Sequence, residues 1–94
     1  MELSPRILAQ VARDFPGSRG SQVVELLTAL DLPLHRSPEG DERICGAILI
    51  FADGDIDQVL EAAALAELDW RDLLVSAGLE HDDWRTKLTA SLVG

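Results

Sequence analysis

Apolar residues spaced for helices, between recurring helix-start signals, limit this chain more than any other feature. Ile44, Ala47, Ile48 and Phe51 stand at i, i+3, i+4 and i+7, which places them on one face of an α-helix. Ile7, Leu8, Val11 and Phe15 keep helical spacing, as do Val23, Leu26, Leu27 and Leu30. Ser4-Pro5 and Ser37-Pro38 each offer a hydroxyl N-cap with proline at the first helical position, where the missing N–H is no loss. Pro16-Gly17 stops the first helix, and Ser21 can cap a second that ends before Pro33. Asp41-Glu42 sets negative charge near the positive end of the third helix dipole.

The stretch Ala52-Asp-Gly-Asp-Ile-Asp-Gln-Val-Leu-Glu-Ala-Ala63 carries aspartates at three alternate positions. A calcium loop counted from Asp53 requires glycine at position 6 and glutamate at position 12, and those positions hold Gln58 and Ala64. The calcium reading therefore fails, and helix punctuation accounts for each residue. Gly54 suits a left-handed C-cap, Asp55 caps the next helix, Gln58 completes a capping-box pattern, and Asp57 lies in the first turn. The same signals recur at Asp69-Trp70-Arg71, which starts a short helix ending at Ser76-Ala-Gly78, and at Asp83-Trp84-Arg85.

These signals predict an all-α fold, a compact bundle of five or six short helices in one domain over 1–94. The expected core is Ile7, Val11, Phe15, Val24, Leu27, Ile44, Ile48, Phe51, Val59, Leu60, Ala63, Leu73, Leu74 and Leu88. The alternative is an α+β chain. Leu30–His35 alternates apolar and polar residues and Ile44–Phe51 is rich in isoleucine, so a small hairpin around residues 30–50 is open to the sequence. Pro33 would confine its first strand to an edge, and an isolated two-stranded hairpin is marginal without helices to cover it.

Glu42–Gly94 resembles a family of uncharacterised small helical bacterial proteins. The resemblance rests on an apolar helix closed by Gly54-Asp55, an Ala/Leu-rich helix, the run Asp69-Trp-Arg-Asp-Leu-Leu-Val-Ser-Ala-Gly-Leu79 and a terminal helix bearing Trp84. It implies an all-α fold with a helix at 42–52, and it implies no activity. Residues 1–40 carry less of it.

Charge separates the halves of the chain. Residues 1–40 hold four Arg against five Asp/Glu, a balance of −1, and residues 41–94 hold four Arg/Lys against twelve, a balance of −8. Nucleic acids and anionic bilayers are bound through Lys and Arg, so neither is an expected partner. No apolar run approaches the ~20 residues that span a membrane, and the first residues lack the basic start of a signal peptide. The lone cysteine, Cys45, can form neither an internal disulfide nor a cysteine-based zinc site and reads as a small buried hydrophobe. A cytoplasmic location is the simplest expectation.

Catalytic motifs are few. Neither glycine-rich phosphate loop nor a Gly-x-Ser-x-Gly elbow occurs. His81-Asp82 resembles the adjacent metal ligands of helical phosphohydrolases, with His35 as an upstream ligand, but those enzymes use a further distant aspartate and no acid follows Asp83. Capping by Asp82 or Asp83 explains the cluster more economically. The sequence therefore suggests a non-catalytic protein-interaction or regulatory module without a cofactor, with a basic partner or a second copy of itself. The alternative is a weak metal-binding or metal-dependent hydrolytic domain using His81, Asp82 and Asp83. Trp and Arg are the residues most enriched at binding hot spots, so Trp70, Arg71, Trp84 and Arg85 are the candidate partner-binding residues, against a purely core role for the tryptophans.

Overall fold

The computed structural model describes residues 3–30 and 37–92, which form five α-helices and no strand. They are α1 (Pro5–Asp14), α2 (Ser18–Thr28), α3 (Pro38–Ala52), α4 (Ile56–Ala77) and α5 (Trp84–Ser91). α3 packs against α1, α4 and α5, and α2 packs against α1 and α4. None of these helices is long and apolar enough to cross a membrane.

The predicted Ser-Pro caps form as expected. Ser4 Oγ accepts from the Ile7 N–H at 3.3 Å, and Ser37 Oγ accepts from the Gly40 N–H at 3.0 Å. The second helix begins three residues before Ser21, because two glycines shorten the turn. Gly17 takes φ +77° and redirects the chain. A Cβ on Gly20 would stand 2.5 Å from the Phe15 carbonyl oxygen, so only glycine lets α2 start this close to the end of α1.

Residues 38–52 are helical, which removes the second arm of the hairpin alternative. Its first arm, with Pro33 and His35, lies outside the described residues. The isoleucine-rich run is helical because α3 is surrounded: Ile44, Cys45, Gly46, Ala47, Ile48 and Leu49 are all buried. A helix apolar all round belongs in the middle of a bundle. Gly46 brings α5 close, since a Cβ there would meet Leu88 Cδ1.

The aspartate stretch is punctuation of a slightly different form from the one expected. Asp53 itself closes α3 in the left-handed region (φ 47°, ψ 47°), its N–H donating to Leu49 O, and Gly54 follows at φ +80°. Aspartate is among the few side chains that tolerate this conformation. Asp55 Oδ1 accepts from the N–H groups of Asp57 (2.8 Å) and Gln58 (3.4 Å). The Asp55 N–H donates to Ala52 O at 3.0 Å, so Gln58 is not needed for the reciprocal bond of a capping box.

Asp69 starts a helical segment, as expected: its non-helical backbone (φ −154°, ψ 88°) kinks α4 into two helical parts, and its Oδ1 accepts from the Asp72 N–H at 3.3 Å as the N-cap of the second. α4 ends at Gly78, whose φ of +77° lets the Leu79 N–H reach back to Leu74 O at 2.9 Å. Asp83 precedes α5 without a side-chain capping bond; its carboxylate lies 3.8 Å from Lys87 Nζ.

The core departs from the expected set at four positions, on α2, α3 and α4. Val24, Phe51 and Ala63 are only partly buried, and Leu60 is 50% exposed. On α4 the buried positions are Val59, Ala62, Ala66, Leu73 and Leu74, so small alanines face inward and Leu60 stands one position round the helix. Cys45 is buried, as read from the sequence.

Candidate functional site

Arg43, on the first turns of α3, organises the surface where the two Asp-Trp-Arg triplets approach. Its Nε and Nη2 both donate to the Leu79 carbonyl, at 2.9 and 2.6 Å. The Gly78 turn presents that carbonyl to it. The same guanidinium lies 5.4 Å from the centre of the Trp84 ring, and Arg85 lies 4.5 Å from it, both within cation–π range. On its other side Arg43 lines a cleft of about 330 Å³ with Trp70, Arg71, Leu74, Val75 and Glu80. Arg71 stacks over its neighbour Trp70 at 5.3 Å.

The four candidate partner-binding residues occupy unlike environments. Trp84 is 7% exposed and belongs to the core. Trp70 is half-buried and packs against that core, while Arg71 is exposed. Arg85 is exposed and forms an ion pair with Glu39 at the start of α3. Arg43 lies over the Trp84 ring and shares the cleft lining with Trp70 and Arg71 of the other triplet. Sequence reasoning missed Arg43, Val75 and Glu80. The available signal was a lone arginine immediately ahead of the Ile44–Ala52 apolar run, where a charge has to reach out of the core to be satisfied.

The surface of the second half of α4 is more apolar than a solvated face. Leu68 is 85% exposed and Val75 58%, and they bracket Trp70 and Arg71 in the chain. Of these, Val75 lines the cleft and Leu68 does not; Val75, Trp70, Arg43 and Arg71 give it an apolar rim, an aromatic wall and two guanidinium groups.

A second polar cluster is structural. Glu42 accepts from Ser4 Oγ through Oε2 and from Arg6 Nη2 through Oε1, both at 2.7 Å, and Arg6 Nη1 donates to Thr89 Oγ1 at 2.9 Å. Partial burial pushes the Glu42 carboxyl up, but the Ser4 and Arg6 hydrogen bonds and the Arg6 charge outweigh it and hold it below its ordinary 4.5. This network joins α1, α3 and α5.

His81, Asp82 and Asp83 lie exposed between α4 and α5, with His81 Nε2 3.3 Å from Glu80 Oε1. Among the described residues no three or more His, Cys, Asp or Glu side chains gather in a way that could hold a metal ion. His35 lies outside the described residues. Comparison with family models, curated proteins and solved structures finds no match to this chain.

Proposed function

We propose that this chain is a non-catalytic protein-interaction module of the cytoplasm, with Trp70 and Arg71 at the centre of its contact surface. The observation that carries the reading is the exposure of Val75 beside that pair in the same cleft. A large exposed apolar side chain beside an aromatic–guanidinium pair has the composition of a binding hot spot. The −8 balance of residues 41–94 favours a basic partner. Buried Trp84 stacks against the guanidinium groups of Arg43 and Arg85. A buried Cys45 with no partner cysteine suits a reducing compartment.

An affinity capture from the native host tests this, with wild type, Arg71→Ala and Trp70→Ala as bait. Wild type should retain a partner that both variants lose, while circular dichroism shows the same helicity in all three. Equal capture by all three would remove Trp70 and Arg71 from the interface. Turnover of a substrate on addition of a divalent metal would replace the whole reading with the hydrolytic one.

A further inference from the structure

A groove of about 470 Å³ runs between α2 and the start of α4, lined by Gln22, Glu25, Leu26, Ala29, Ile56 and Leu60. It continues onto an outward face of α4. The exposed residues there are Asp57, Leu60, Glu61, Ala64, Glu67 and Leu68, spaced as one side of a helix. Leu60, Ala64 and Leu68 make an apolar row at i, i+4 and i+8, with Leu60 half exposed and Leu68 almost wholly so. From Ile56 to Leu68 the helix carries three acids and no Lys or Arg. An apolar row alone would accept any apolar surface; the acids beside it select one kind.

A second copy of this face would set acid against acid, and an anionic bilayer would be repelled. An amphipathic helix with Lys and Arg beside its apolar row satisfies both features. We infer that the α2–α4 groove and the Leu60–Ala64–Leu68 row dock a basic amphipathic helix of a partner protein. Its apolar row lies in the groove, and its basic groups pair with Glu25, Asp57 and Glu61. This rests on the interaction-module reading and names a partner class for it, at a surface separate from the Trp70–Arg71 cleft.

The probe is a synthetic helix of roughly five turns, labelled with fluorescein, with leucines along one face and Lys/Arg beside them. Two controls accompany it: the same residues scrambled, and glutamate in place of every Lys/Arg. The basic helix should bind the intact chain more tightly than either control and weaken with added salt. Leu60→Lys, and Asp57→Lys combined with Glu61→Lys, should each weaken binding by about tenfold or more, with helicity unchanged because these side chains are exposed. Arg71→Ala should leave this affinity as it is. Equal binding of either control, or indifference to Leu60→Lys, overturns the inference. So does a dimer that forms with concentration and is lost in Leu60→Lys, since the face then belongs to a second copy. Host capture that depends on Arg71 while the basic helix fails to bind overturns the groove alone. Helix binding that persists while capture ignores Arg71 and Trp70 overturns the cleft alone.

Discussion

Arg43 holds the turn after α4 by donating twice to one acceptor, the carbonyl oxygen of Leu79, with its guanidinium beside the Trp84 ring. One side chain from the head of α3 therefore fixes the C-terminal end of α4 and the start of α5. Hydrogen bonds from charged donors contribute about 1.5–3 kcal/mol, so Arg43→Ala should lower stability by about that amount in urea denaturation. Arg43→Lys should restore only part of it, because an ammonium cannot present the planar pair of N–H groups. A loss under about 0.5 kcal/mol, the range of an ordinary surface change, would mean the latch carries no load.

Glu42 contributes to stability in a pH-dependent way. Its folded pKa lies below the ordinary 4.5, so its ionised form stabilises the fold above that value, and the contribution fades as pH falls through the folded pKa. The stability difference between wild type and Glu42→Gln should be largest above pH 4.5 and shrink below it. Thermal melts at a series of acidic pH values read this directly, and a difference independent of pH would mean the carboxylate is not held by Ser4 and Arg6.

Asp55 caps α4, its Oδ1 accepting from the Asp57 and Gln58 N–H groups. Asp55→Ala should reduce stability by about 0.5–2 kcal/mol, and millimolar calcium should leave the wild-type melting temperature in place. A calcium-dependent rise that the substitution abolishes would reverse the assignment.

Burial separates two residues that the sequence treats alike. Ile48, fully buried, should cost about 2–5 kcal/mol when cut to alanine. Leu60→Ala, at a half-exposed position, should fall within about 0.5 kcal/mol of wild type. Comparable losses at both positions would contradict the orientation of α4.

The contrast shows where the sequence was legible. Ser4, Ser37 and Asp55 announce their helices because a cap is a local bond within three residues. Asp69 announces its cap too, and α4 kinks there into two helical parts. The inward face of α4 was obscured because Leu60 outranks Ala62 and Ala66 in hydrophobicity, while the nearby α3 requires small side chains. The cleft was half visible. Trp70 and Arg71 stand out in composition, whereas Arg43 and Glu80 reach it only through tertiary folding.

Arg6 and Thr89 are 83 positions apart and share a hydrogen bond, so a side chain of α1 reaches across to α5. During synthesis α1 emerges long before the helix that completes its surroundings. Until α5 leaves the ribosome, Leu88 is missing from the face of α3 that Gly46 keeps bare. Contacts this distant in sequence close late, because the intervening chain loses its freedom only when they form. The nascent chain therefore holds an open apolar flank on α3 until α5 has been made.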